Sequence, residues 1–559
     1  MKQAIMKRTT FSGVALLLVP LATLVACGPS AVKPAVFPTT QPTVVAPGYE
    51  VEILVPGSYG TGFNGLDFDS QDNLYVGGVS GGAIYKLAVE GGQVQVTECV
   101  AAPEGQSDDL AFSPEGDLYW TSYLDGVLRC KCGDEIEVLA DGLPFINAVG
   151  FNDEGRLFVT QSVLGDALWE IDPKGAEKPR LIVRGIGAPN AFDFGPDGKL
   201  YTPLYHGEAV VRVGVDSGEV ETIADGFRIP VAVNFDSTGN LFALDNFTGE
   251  LLQIDIETGE KTLVLQLPPT FDNFAFNSKD ELFLSSMDRG GVYQVNTETG
   301  EVETWVEANL TSPGGIAVVG ETVYVADTYS LRQVDGNTGE VTTLGILDVN
   351  GLDYPLCVSV KGDSALVSSF FMGVVQVFDL QSRQVVETFE GFVAPYDMLQ
   401  LDDGSILVAE LGKKNVVKVS GAEGENREVV AGELGGPMGL AFAGENKVYV
   451  TEVTTGNVTL IDLSTGEKEV VASGLQKPKG IAVQADGKIV VVETGLQRLV
   501  EIDPESGTIT PLVRGLAVGT QLAKILPASG AMNGVGISSS GAIYATGEVE
   551  GVLYKITRK

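Results

Sequence analysis

Asn64, Asp108, Asn147, Asn190 and Asp272 each stand ten positions ahead of a leucine that opens an apolar segment, namely Leu74, Leu118, Leu157, Leu200 and Leu282. A sixth residue, Val231, holds the same place ahead of Leu241. Five of these six offer a side-chain oxygen. If the repeat arranges them about one axis, the set suits a hard cation that takes about six to eight oxygen ligands, with Ca²⁺ as the expected cofactor. Turn chemistry is the other reading, because Asn and Asp are favoured wherever a side chain bonds its own backbone. The second half of the chain serves as an internal control. Its matching residues are Gly314, Leu356, Asp397, Met438, Lys479 and Asn533, so the repeat itself does not require Asn or Asp there.

Two residues could act as a general base beside such a site: Asp108, and His206, the only histidine. Pro203 should end a strand and leave Tyr205 and His206 on a loop. A histidine titrates near neutrality, which suits proton transfer, and a surface loop histidine is the alternative. In the second half, Asp327, Glu410, Glu452 and Glu493 are followed five residues later by Arg332, Asn415, Asn457 and Arg498. That spacing resembles the NHL-repeat pattern, which implies an acid paired inside the blade; a second cation-binding mouth is the alternative. The chain has no Gly-x-Ser-x-Gly elbow, phosphate loop or His-Glu-x-x-His motif, and a single histidine excludes multi-histidine metal sites.

The elements that must position these groups recur. From Leu74 to Ile543 the anchors Leu118, Leu157, Leu200, Leu241, Leu282, Val323, Leu366, Ile406, Val448 and Ile489 follow at a period near 42 residues. Four short β segments per period, bounded by turns such as "SPEG", "GPDG" and "ETGE", are the signature of propeller blades. The fold expected is all-β, two tandem six-bladed propellers with about twelve four-stranded blades. Strand bookkeeping assigns the outer-type strand "VEILV" to the first ring and "EVETWV" to the second, dividing the chain at 49–298 and 299–559. Only the longer last interval, around "GTQLAKILPA", has room for a short helix.

Lys2, Lys7 and Arg8 precede an apolar run from Phe11 to Ala26, too short for a membrane span and suited to an export signal over 1–26. The run ends "LVAC", which resembles the lipobox of bacterial lipoproteins and implies lipidation of Cys27. Residues 27–48 are Pro- and Thr-rich and read as an extended tether reaching up to about 60 Å. Of the remaining cysteines, Cys99 with Cys130 or Cys132 would join neighbouring repeats as a disulfide, and free buried thiols, Cys357 among them, are the alternative. The formal charge of -38 repels phosphate backbones and anionic headgroups, so nucleic acid is excluded as a partner and membrane contact is expected through the lipid alone. A monomer is expected.

The units "NGLDFDSQDNLYV", "LAFSPEGDLYW" and "NAFDFGPDGKLY" resemble the six-bladed propellers of the SMP-30/gluconolactonase family, and "GIAVVGETVYVADTYSLRQVD" resembles an NHL repeat. The resemblance spans about 51–559 and rests mostly on blade architecture. It implies a calcium-dependent lactonase-type hydrolase whose metal sits at the channel mouth, with Asn147, Asn190 and the pair Asp272 and Asn273 at matching positions. Asn64 replaces that family's early Glu, and its "EGP" motif is missing, which weakens the lactonase assignment more than the metal assignment. A non-catalytic surface module for a protein, peptide or glycan is the alternative function. A virginiamycin-lyase-like activity is a third.

Overall fold

The computed structural model describes residues 32–421, 424–444, 446–519 and 533–559. The export signal, Cys27 and most of "GTQLAKILPA" lie outside the described residues. Each blade is built from a local rule: apolar residues alternate along its strands, and a polar residue bonds its own backbone at each turn. In the Asp-x-x-Thr-Gly turns, Asp255 Oδ1 accepts the amides of Glu257 and Thr258, both at 2.9 Å. Gly259 then takes φ +74°, where an added Cβ would lie 2.3 Å from the Ile223 carbonyl oxygen. Along each sheet the inner strands are buried, as in Leu118–Ser122, while the outer strand, as in Glu135–Ala140, faces solvent over most of its length.

These units form twelve antiparallel sheets, eleven of four strands and one of five. The described residues contain no α-helix, only a single 3-10 turn at Thr494–Leu496, and no helix long and apolar enough to cross a membrane. Six blades, from Phe63–Phe68 to Val302–Val306, close one ring. Six more, starting at Ile316–Val319, close the second, so the expected tandem propeller stands.

At six of the twelve seams a hydroxyl near the end of a second strand joins one blade to the next. Thr121 donates to the Asn147 carbonyl, Thr160 to that of Asn190 (3.3 Å), and Ser285 to that of Asn64, which closes the first ring. Thr546 donates to the Gly314 carbonyl at 2.7 Å and closes the second. Thr121→Val keeps the shape but removes the donor, and urea unfolding should show a loss of about 1–3 kcal/mol for the stranded buried carbonyl.

Two outer strands sit otherwise than the bookkeeping expected. Val302–Val306 completes the sixth blade of the first ring, pairing with Gly291–Val295. Tyr49–Val55 crosses to the far end of the chain and pairs with Val552–Arg558, from Tyr49 opposite Arg558 to Val55 opposite Leu553. The first ring is therefore a contiguous insertion within the second. An outer strand meets its blade through backbone bonds that any amphipathic strand can make, so composition did not distinguish the two placements.

Nor is the Pro-rich segment a free tether over its described part. Val32 N donates to Glu303 Oε1 at 2.6 Å, Ala35 N to the Trp305 carbonyl at 3.0 Å, and Thr40 N to Glu550 at 3.0 Å. Thr43–Val44 then adds a fifth strand to a second-ring blade, beside Val513 and Arg514. The segment straps the outside of both rings.

Cys130 is bonded to Cys132, leaving Cys99 and Cys357 as thiols among the described residues. The expected bridge from Cys99 fails for a geometric reason. Cys130 and Cys132 share one face of their strand and pack toward the third blade, while Lys131, on the opposite face, reaches the Cys99 carbonyl at 3.0 Å.

Candidate functional site

The start of each inner strand is pinned by its own second strand. Asp108 N donates to the Thr121 carbonyl at 2.9 Å, Asn190 N to that of Pro203 at 3.1 Å, and Asp272 N to that of Ser285 at 3.1 Å. Radial repetition then carries side chains distant in sequence to one mouth. Asn64, Asp108, Asn147, Asn190, Asp272 and His206 all line a single cavity of about 640 Å³. Val231 instead packs into the core between blades. Its blade contributes Asn246 from the end of the second strand, a position the repeat pattern did not single out.

The second ring roofs this mouth. Tyr329, Asp348, Tyr354, Phe371 and Met372 line the same cavity, so the site is a chamber between two propellers. Tyr205 OH donates to Asp348 Oδ2 at 3.0 Å and Ser80 Oγ lies 2.8 Å from Tyr329 OH, each contact joining one ring to the other. Of the second ring's leading residues, Gly314 and Leu356 face the chamber, while Met438 belongs to that ring's own core.

Asn64 Nδ2 donates to Asp108 Oδ1 at 3.1 Å, and Asn246 Nδ2 to Asp272 Oδ1 at 3.3 Å. Burial, with Asp272 and Asp109 nearby, holds Asp108 well above the usual carboxylate range. Burial and the Asp348 charge push Asp272 up to about 7. No Lys or Arg lines the chamber among the described residues, so a cationic ligand meets no like charge except from a protonated His206. No three His, Cys, Asp or Glu side chains among the described residues form a cluster able to hold a metal; of the leading residues at the mouth two are carboxylates, Asp108 and Asp272, with carboxamides between them, and Asp288, Asp348, Asp353 and Glu548 also line the chamber. His206 is solvent-exposed on the expected loop, its ring edge-on to Tyr205 at 5.1 Å. Pro203 does not end its strand as expected: it lies within Leu200–Leu204, opposite Val210, and the loop begins two residues later at Tyr205.

Below the mouth stands a further acid that spacing did not reveal. Asp109 turns into the channel, where Oδ2 accepts Val149 N at 3.2 Å and Asn273 Nδ2 lies 3.4 Å from Oδ1; burial pushes it up to about 7. Asp193 makes the same bond to the next blade, accepting Phe235 N at 2.8 Å. These aspartates are clips between inner strands.

The second-half acids are structural too. Asp327 accepts the amides of Thr311 and Ser312 and pairs with Arg332 at 3.3 Å, and Glu493 pairs with Arg498. Glu410 pairs with Lys413 at 2.7 Å, and Glu452 accepts the Thr459 hydroxyl. Arg332→Ala would leave Asp327 buried without its cation. Chemical denaturation should register a loss of about 3–5 kcal/mol.

Fold and site together define a tandem six-bladed β-propeller with a chamber enclosed between its rings. The chain belongs to the family described as outer membrane protein assembly factor BamB, whose profile matches residues 165–469, more than half of its 559 residues. The match begins in the third blade of the first ring and ends in the fourth of the second, so it follows the repeat rather than either ring. No curated protein matches the chain. Among solved structures it is similar to virginiamycin B lyase from Staphylococcus aureus, at 15% identity over 50% of this chain and 96% of that one, with a TM-score of 0.37. It is similar also to a protein assigned as a gluconolactonase, at 16% identity over 47% and 95% of the two chains, with a TM-score of 0.37. The extracellular domain of the one component system BT4673 from B. thetaiotaomicron matches at 11% identity over 89% and 76%, with a TM-score of 0.33. Likenesses at these scores carry nothing about activity.

Proposed function

We propose that this is an exported protein, anchored to a bacterial membrane through a lipid on Cys27, whose inter-ring chamber binds a divalent cation and, with it, a small polar group such as a lactone or related ester. The observation that carries this reading is the convergence of Asn64, Asp108, Asn147, Asn190 and Asp272, from five blades, on one chamber free of Lys and Arg among the described residues. Carboxylate and carboxamide oxygens are the donors a calcium-like ion prefers, and an ion would offset the burial and the neighbouring carboxylates that together raise Asp108. With two carboxylates at the mouth the affinity should be modest, in the range of about 0.1–1 mM typical of extracellular modules. The family's own description, an outer membrane assembly factor, supports a place outside the cytoplasm.

If the site is hydrolytic, a bound cation would supply carbonyl polarisation and a more acidic water. Asp108, enclosed in the chamber, could then act as the base only once the cation has displaced its proton, and it is better placed than His206, which lies toward solvent. Calcium titration followed by calorimetry tests the binding, and turnover of simple lactones with and without chelator tests the chemistry. Calcium binding that vanishes in Asp108→Asn, Asp272→Asn protein is the expected result. Protein that takes up no divalent ion, with unchanged melting in chelator, would leave a non-catalytic scaffold as the function.

A further inference from the structure

The rim of the chamber is chemically unlike its floor. Val163 and Leu164 from the first ring are 47% and 71% exposed, and Phe371 and Met372 from the second are 45% and 53% exposed. All four line the chamber. Single exposed apolar side chains are ordinary, but four large ones from two different domains converging on one opening make a patch that marks a binding site. Behind them an aromatic file leads inward. Phe371 stands edge-on to Tyr354 at 5.9 Å, and Tyr354 to Tyr329 at 6.4 Å. On the first-ring wall Tyr123 and Phe145 pack edge-on at 4.9 Å. At the floor are Asp108 and Asp272. The volume, about 640 Å³, lies within the range of sites that enclose a whole small molecule.

We infer that the ligand is amphipathic: a neutral or cationic head reaches the aspartates at the floor, and an apolar tail lies along the aromatic file and leaves between Leu164 and Met372. Without a bound cation an anionic head is excluded, because it would be buried beside aspartates and the described lining holds no Lys or Arg to pair with it. The second ring thus sets tail selectivity for a site whose polar groups come mainly from the first. This deepens the preceding reading and rests on it only in taking the chamber as the site; the cation is not needed for the tail.

The test titrates the full chain by calorimetry with γ-butyrolactone, γ-octalactone, γ-dodecalactone and dodecanoate, each in calcium and in chelator. Each methylene that becomes enclosed should tighten binding about fourfold, the factor to which about 0.8 kcal/mol per methylene corresponds. γ-Dodecalactone is therefore expected to bind at least about a hundredfold tighter than γ-butyrolactone, with no binding of dodecanoate in chelator. In a Leu164→Asp, Met372→Asp variant, whose changes fall on exposed positions, that advantage should shrink below about tenfold while melting is unchanged. Equal affinities for short and long lactones, dodecanoate binding as well as the lactone in chelator, or an unaltered advantage in the variant would each overturn the inference. A chain-length dependence that persists in chelator, in protein that binds no calcium, supports it and counts against the cation reading alone.

Discussion

Metal-free protein should lose stability as pH rises from about 5 to 8, and the Asp108→Asn, Asp272→Asn variant should lose less, the remainder coming from buried aspartates it keeps, such as Asp109. Asp272 holds its proton to about 7 and Asp108 to well above the ordinary value, because both are enclosed and close to other carboxylates. In the unfolded chain each titrates near 4. A folded-state value raised in this way contributes stability that is full below about 4 and is lost as pH climbs through the folded-state value. Exposed acids such as Asp403, held below the usual range by Lys418, act in the opposite sense, so the difference between variant and wild type is the quantity to measure. At pH 8 the variant should melt above metal-free wild type. Calcium at 10 mM, if bound at about 0.5 mM, should return about 2 kcal/mol to wild type and nothing to the variant. That gain corresponds to a rise in melting temperature of about 4–8 °C for a ring of this size. A wild-type curve parallel to the variant's would refute the proposed state of these two carboxyls.

Removing residues 1–56 is expected to unfold the second ring and spare the first. Tyr49–Val55 is the fourth strand of the blade that ends the chain. Leu54 and Val55 are buried among Leu310, Val323, Tyr544 and Leu553, and Val51 and Ile53 pack on the neighbouring core. At about 1.5–3 kcal/mol for each fully buried aliphatic side chain, Leu54 and Val55 contribute on the order of 3–6 kcal/mol, and the half-buried Val51 and Ile53 add to it. A whole domain is stable by only about 5–15 kcal/mol. The first ring draws all its blades from Phe63 to Val306 and closes through Ser285. Limited proteolysis of the truncated protein should therefore leave a protected fragment spanning about residues 57–310, bounded by the ends of that ring. Equal protection of both rings would show that the crossing strand is dispensable.

The period near 42 residues made the rings legible, because every blade repeats the same burial pattern and turn chemistry. The contrast between Asn64, Asp108, Asn147, Asn190 and Asp272 and their second-half counterparts pointed to the mouth that the chamber occupies. What stayed hidden does not repeat. Asn246 comes from a strand end rather than a strand start, and Asp348 from an irregular loop of the other ring that meets Tyr205 only because the two mouths face each other. No periodic pattern encodes that encounter. The exchange of outer strands was equally opaque, since "VEILV" and "EVETWV" offer a third strand the same backbone bonds.

The strap over the outer flank also sets a length. Only Gly28, Pro29, Ser30 and Ala31 separate Cys27 from Val32, whose amide is already held by Glu303. Fully stretched, that leash spans about 17 Å at roughly 3.5 Å per residue. If Cys27 carries the proposed lipid, that leash would moor the outer flank of the first propeller close against the bilayer instead of holding it off on a long tether.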